Sequence, residues 1–234
     1  MSFTDFFFPK RCPVCLDVLP PGQRLICAPC EQKVRRVSGP VCYKCGRPLS
    51  ETNEEYCRSC SRRKPSFIKC MAYAEYTSPA MRRMVAEVKY HGDCQLLDYP
   101  CRDFAEAKAR EVQKYGAEAL IPVPVHEERL RIRGYNQAEE IAKRFSAVWN
   151  IPVDTGYLSR VKRTAAQKEL TDTERMTNLY DAFQLSGEPG RYRTVILVDD
   201  IYTTGSTLES CTRVLRKAGV SRVYGVVLLI GRNG

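Results

Sequence analysis

The sequence predicts an α/β protein, a doubly wound parallel sheet with a small cysteine-rich module ahead of it. Three observations carry this. Apolar runs within 119–125, 194–198 and 223–230 are short and continuous, as strands buried on both faces are. Stretches of helical periodicity separate those runs. Nine of the 12 cysteines fall within residues 12–70, and the composition shifts near residue 65. A boundary is therefore expected between residues 64 and 72, giving units 1–68 and 69–234.

Bulk properties narrow the class. A hydrophobic fraction of 44% in 234 residues argues against wholesale disorder. No uninterrupted apolar run approaches the roughly 20 residues that cross a bilayer. The N-terminus shows no basic start, apolar core and small-residue cleavage site, so a cytoplasmic chain is expected. Thiols stay reduced there, and 12 cysteines then point to metal rather than disulfides.

The elements follow in chain order. Phe3, Phe6, Phe7 and Phe8 form an aromatic cluster, read as a short helix packing on the neighbouring unit or as a membrane or partner contact. Next, Cys12, Cys15, Cys27 and Cys30 recur, displaced by 30 positions, as Cys42, Cys45, Cys57 and Cys60. One fixed offset indicates the same unit built twice. A C-x2-C turn sets two sulfurs on one ion, and the gap between turns admits a short hairpin. Four thiolates satisfy tetrahedral Zn²⁺ and leave no position open, so two structural zinc sites are expected. A redox C-x2-C occurs once beside a βαβ unit, not four times. Two ribbons, each closed by its own four cysteines, are the simplest pairing; a cross-braced pairing stays open. So small a module has little core, and metal should hold it folded. Cys70, Cys94, Cys101 and Cys211 lie outside the pattern and read as small apolar residues.

Residues 79–91 and 94–114 have helical periodicity, and 119–125 reads as a buried strand with its following loop. Asn136 is a good N-cap for a helix over 136–149. Residues 159–178 are highly charged with few apolar positions and read as a long mobile loop. The run 194–198 is a central strand stopped by two aspartates. A helix over 206–218 ends at Gly219, and 223–230 is another buried strand.

The most informative segment is Val195-Ile-Leu-Val-Asp199-Asp200-Ile-Tyr-Thr203-Thr204-Gly205-Ser206-Thr207-Leu208. The strand carries two carboxylates to its C-terminal edge, where parallel sheets bind ligands. A turn of Thr, Gly and Ser then opens a helix, whose first N–H groups and dipole favour a phosphate. Gly205 permits close backbone approach. No lysine follows the glycine, so this is not a Walker A loop. The segment resembles the phosphoribosyl pyrophosphate (PRPP) motif of type I phosphoribosyltransferases.

Other segments narrow the resemblance. Ile121-Pro-Val-Pro124, Arg129, and Arg133-Gly-Tyr135-Asn136-Gln137-Ala138 look like the ComF family, as do Arg163-Thr164, Gln167, Leu170, Arg175, Asn178, Ala182 and Phe183. The resemblance runs from about Phe8 to Leu229. It implies a cysteine zinc-ribbon region joined to a phosphoribosyltransferase-like domain. It further implies a role in natural competence, handling single-stranded DNA near the inner membrane face, with a competence helicase or membrane-associated partner. Asp199 and Asp200 would contact the ribose hydroxyls or Mg²⁺. Thr203, Thr204, Gly205, Ser206 and Thr207 would bind the 5′-phosphate, and Pro124 and Val125 would approach the pyrophosphate. Arg160, Lys162, Arg163 and Gln167 would sit on a loop that closes over it.

Arg129, Arg131 and Arg133 read either as a nucleic-acid or pyrophosphate contact or as a solvated basic face. His126 is a weak candidate beside the proposed pyrophosphate loop, and His91 receives no chemistry. Arginines next to tyrosines, Arg133 with Tyr135 and Arg191 with Tyr192, suit a single-strand groove between ribbon and sheet. An active transferase in nucleotide or base metabolism, and a zinc-dependent scaffold with a vestigial site, are the alternatives. The formal charge of +10 counts thiols as neutral; eight thiolates and two Zn²⁺ bring it to +6. Any nucleic-acid surface must then come from local clusters, at 129–133 and 160–163.

Overall fold

A computed structural model of the protein describes residues 9–20, 25–50, 53–161 and 182–231. Among these, β1 (Cys70–Glu75), β2 (Ala119–Pro122), β3 (Leu158–Arg160), β4 (Phe183–Leu185), β5 (Thr194–Tyr202) and β6 (Arg222–Ile230) are the strands. β1, β6, β5 and β2, in that order, make one parallel sheet, and β3 and β4 make an antiparallel pair. The helices are α1 (Ala28–Glu31), α2 (Arg58–Arg63), α3 (Pro79–His91), α4 (Asp98–Gln113), α5 (Glu127–Arg133), α6 (Gln137–Trp149) and α7 (Ser206–Lys217). Among the described residues no helix is long and apolar enough to cross a membrane.

Alternation along β5 divides the core into two layers. Ile196 and Val198 join Met71, Leu120 and Val226 against Met84 and Val88 of α3, Phe104 of α4, and Ile141 and Phe145 of α6. Val195 and Leu197 join Cys70, Ile121 and Val227 against Leu208, Cys211 and Leu215 of α7. Helices on both faces explain why the strands carry continuous apolar runs. Cys101 and Cys211 are wholly buried, as small apolar residues should be.

The two cysteine units take opposite sides of this sheet. Cys12, Leu19, Ile26, Cys30 and Val34 belong to the layer with α3, α4 and α6. Cys42, Cys45, Cys57, Cys60 and Phe67 belong to the layer with α7. The chain between them crosses the open edge of β1. There Val37 N–H donates to the Tyr73 carbonyl at 2.8 Å, and Arg36 forms an antiparallel bridge with Ala74. That crossing blunts an edge strand that would otherwise offer free backbone groups.

The structure departs from the sequence reading in four places. β5 does not stop at the aspartates: Asp199 pairs with Val227, Ile201 with Leu229 and Tyr202 with Ile230, so β6 carries the ladder onward. β1, unanticipated, begins at Cys70 and pairs with β6 from Gly225. Ser159 and Arg160 lie in β3, paired with Gln184 and Phe183, rather than in a loop. Residues 127–133, read as a basic stretch, form α5, which buries none of its residues and which the sequence therefore marks with no apolar stripe. Residues 162–181 lie outside the described residues, as do Phe3, Phe6, Phe7 and Phe8.

Gly46 sets the contact between the second cysteine unit and β1. Its φ is +74°, and a Cβ there would sit 2.6 Å from the Cys70 carbonyl oxygen. That close approach lets Cys70 N–H donate to the Lys44 carbonyl at 2.6 Å. For Gly46→Ala, the left-handed backbone alone costs about 1–2 kcal/mol, with the backbone clash added. Thermal unfolding should show Tm lowered by at least ~2 °C; an unchanged Tm would refute this account of the contact.

Candidate ligand site and metal centres

The cysteines form two groups, Cys12, Cys15, Cys27 and Cys30, and Cys42, Cys45, Cys57 and Cys60. Within each, all ligand atoms lie within 4.8 Å of one another. Cys12 and Cys27 sulfurs are 3.4 Å apart, Cys15 and Cys27 3.6 Å, and Cys45 and Cys57 3.7 Å. Zn–S bonds of about 2.3 Å place tetrahedral sulfurs roughly 3.8 Å apart, so both groups fit structural Zn²⁺. The pairing is sequential, each ribbon closing on its own four cysteines; the cross-braced alternative is excluded by this grouping.

At the other end of the chain, β5 delivers its carboxylates to the C-terminal edge of the sheet. A cavity of about 290 Å³ opens there, lined by Asp199, Asp200, Thr203, Thr207, Pro124, Val125, Arg129, Arg133 and Arg160. Successive strand residues point to opposite faces, and the two aspartates part accordingly. Asp200 turns toward α3 and takes Lys89 as its ion-pair partner, Nζ to Oδ2 2.5 Å. Asp199 turns toward α7, where burial first, and then the Asp199 charge, push up the Cys211 and Cys70 thiols. Burial, and then the neighbouring Asp200 carboxylate, push the Asp199 carboxyl well above the ordinary carboxylate range.

The Thr–Gly–Ser turn is divided between two openings. Thr203 and Thr207 face the large cavity. Thr204, Gly205 and Ser206 line a smaller cavity of about 30 Å³ with Arg63, Tyr202 and Glu209. Gly205 has φ +81° and caps the N-terminus of α7, with the Tyr202 ring packed against it, so a side chain there is excluded by backbone and by space. Thr204 Oγ1 and Ser206 Oγ bond each other at 2.9 Å.

The basic residues sort in a way the sequence did not show. Arg129 and Arg133 of α5 line the large cavity, while the Arg131 side chain is 81% exposed and pairs with Glu127 at 3.5 Å. Arg131 thus leaves the groove expected for 129–133. Arg160 is held on β3, its guanidinium 5.3 Å over the Phe183 ring. Burial, then the nearby Arg129 cation, lower its pKa from the usual value. Lys162, Arg163 and Gln167 lie outside the described residues. The Arg–Tyr neighbours are occupied internally. Tyr135 donates its hydroxyl to the Val88 carbonyl, and Tyr192 donates to Asp154 at 3.0 Å. His126 caps α5, its Nδ1 accepting from Glu128 N–H at 3.3 Å. Asn136 caps α6, accepting from Ala138 N–H at 3.0 Å.

Two known families of domain match this architecture. Residues 3–61 match the double zinc ribbon domain and residues 132–234 the phosphoribosyl transferase domain. Competence protein F of Haemophilus influenzae is 33% identical over 93% of this chain and 95% of its own length. Competence protein ComFC of Bacillus subtilis is 29% identical over 87% of this chain and 82% of its own. DNA utilization protein YhgH of Escherichia coli O157:H7 is 26% identical over 92% and 94%. The chain belongs to the ComF family.

For this ComF chain, sequence reasoning missed Lys89, Arg47 and Arg63. Lys89 had a signal: Val85 and Val88 are buried on α3, and helical spacing sets residue 89 beside them, so a lysine there needs a partner. Arg47 and Arg63 had none. Arg47 Nη2 donates to the Thr203 carbonyl at 2.9 Å, and Arg63 Nη1 to the Thr204 carbonyl at 3.2 Å. Both contacts span more than a hundred residues of chain.

The raised Asp199 pKa has a sign that can be worked out. A carboxyl with a folded pKa above its unfolded value loses folding stability as pH rises between the two. Asp199→Asn should therefore unfold at or above the wild-type temperature at neutral pH, and the advantage should vanish as pH falls toward about 4. Differential scanning calorimetry across that range checks this; a variant markedly less stable at neutral pH would overturn it.

Proposed function

We propose that this protein binds PRPP at the C-terminal edge of its sheet and acts in the handling of single-stranded DNA during competence. One observation supports the reading most. Two adjacent carboxylates, two threonines of the α7 turn and three arginines converge on one cavity of about 290 Å³. Carboxylates accept hydrogen bonds from ribose hydroxyls, helix N-terminal amides take a phosphate, and guanidinium groups match diphosphate oxygens. In this reading Asp199 and Asp200 hold the ribose, Thr203, Thr207 and the α7 N-terminus hold the 5′-phosphate, and Arg129, Arg133 and Arg160 face the diphosphate. Asp199 and Asp200 also offer the hard oxygen ligands that Mg²⁺ takes, and Mg²⁺ would neutralise diphosphate charge when bound. The names of the relatives, two competence proteins and a DNA utilization protein, support the DNA-handling part. Zinc stays structural in this scheme.

A second reading is transfer of the ribose 5-phosphate, in which the bond from ribose C1 to pyrophosphate breaks and one to an acceptor forms. The three arginines favour it, because charge building on departing pyrophosphate would meet fixed cations.

Isothermal titration with PRPP, with and without Mg²⁺ and a single-stranded oligonucleotide, tests the proposal. Binding in the presence of Mg²⁺ is expected, weakened by about 10-fold or more in Asp200→Asn, since a charge-assisted contact is worth ~1.5–3 kcal/mol. No PRPP binding by the wild-type protein would end this reading. Affinity for the oligonucleotide should fall linearly on a log–log plot against salt. Pyrophosphate release on adding an acceptor would promote the second reading.

A further inference from the structure

The second ribbon reaches the phosphate turn at four points. Arg47 Nη2 holds the Thr203 carbonyl at 2.9 Å and Arg63 Nη1 the Thr204 carbonyl at 3.2 Å. Ser66 donates through its N–H and its hydroxyl to the two carboxylate oxygens of Glu209 on α7, both at 2.7 Å. Phe67, wholly buried, meets the Tyr202 ring edge-on with centroids 6.4 Å apart, and that ring packs on Gly205. The turn at 203–207 is thus walled on one side by the sheet and on the other by residues 47–67.

Arg47 is the unusual member. It is 5% exposed, yet among the described residues its Nε and Nη1 have no hydrogen-bond partner. A buried cation with two idle donors is costly unless a counter-charge stands nearby. Arg47 follows Cys45 by two residues, on the turn that presents Cys42 and Cys45 to the metal. The Arg47 carbonyl accepts from Cys42 N–H at 2.7 Å, so the residue that reaches Thr203 is itself part of the metal-binding turn.

We infer that the second ribbon is the positioning element of the phosphate turn: Arg47 couples zinc occupancy at Cys42, Cys45, Cys57 and Cys60 to the geometry of Thr203 and Thr204. Arg47 and Arg63 are positioning residues, acting on the ligand through the backbone that receives it. Their hydrogen bonds go to carbonyls, which leaves Thr203 and Thr207 lining the ligand cavity. The identity of that phosphate as PRPP rests on the function proposed above; the coupling of ribbon to turn does not. Coupling between two sites is reciprocal, so the ligand must also protect the second zinc.

Hydrogen exchange at 203–207 provides a readout independent of PRPP. Full-length Arg47→Ala and Arg63→Ala would be compared with wild type, with zinc content measured in each. Both variants should retain two zinc ions and lose protection of the turn, and Arg47→Lys should restore only part of it, because ammonium lacks the planar fork. PRPP affinity should fall by about 5–150-fold in Arg47→Ala. Mg²⁺–PRPP should slow the release of one of the two zinc ions to a chelator in wild type and leave Arg47→Ala unaffected. Unchanged exchange at 203–207 in both two-zinc variants would overturn the inference. Should Arg47→Ala not fold, the surface-exposed Arg63→Ala decides by the same readout. Absence of PRPP binding in wild type would sink the proposed ligand alone, since the exchange comparison still stands.

Discussion

Four cysteine sulfurs crowded within 4.8 Å of one another hold together as thiolates only around a cation, and this protein contains that arrangement twice. Much of the rest depends on it. Neither ribbon has enough core to fold by burial alone. Closed on metal, each becomes a rigid knuckle whose apolar flank extends one layer of the sheet. The first lies with α3, α4 and α6, where Arg11 reaches Asp93 at 3.5 Å and Tyr99 reaches Glu31 at 3.4 Å. The second lies with α7. The sheet is therefore gripped from both faces, and the connecting chain closes its β1 edge.

The ligand site inherits that arrangement. A parallel strand places functional groups only at its end, and what happens beyond the end depends on the loop that follows. Here the loop is confined between β6, α7 and the second ribbon. Arg47 and Arg63 bind carbonyls, Tyr202 blocks the space over Gly205, and Thr203 and Thr207 face the ligand cavity. The second zinc unit thereby backs the turn that follows β5, while the ligand cavity itself is lined by residues of the sheet domain.

Charge is distributed with the same economy. Asp200 is neutralised by Lys89, whereas Asp199, half-buried beside it, is left in an environment that resists its ionisation. Such a group lowers stability in the free protein and is relieved by a cation or a hydrogen-bond donor, as binding sites often require. Arg160 is the matching case of opposite sign, a cation held against burial and against Arg129. Carboxylates and guanidinium groups thus line one cavity together, a mixture suited to a ligand that carries both hydroxyls and anionic oxygens.

The sequence by itself determined the parts whose information is local. Two repeats of C-x2-C spacing specify metal ligands because the two-residue turn alone sets the sulfur separation. Continuous apolar runs specify strands buried on both faces, and the acidic pair followed by Thr-Thr-Gly-Ser specifies a strand end and a turn at a helix start. Asn136 as a cap and Cys101 as filler were legible for the same reason. Only the tertiary structure decided what depends on distant segments. Whether β5 ended at Asp199 depended on the length of β6. Whether Arg131 entered the cavity depended on the rotation of a helix with no buried face. The roles of Lys89, Arg47 and Arg63 required residues far apart in the chain to meet, and no spacing encodes a contact across 156 residues. Packing, which brings the zinc unit over the α7 turn, made a metal module and a ligand site into one structure.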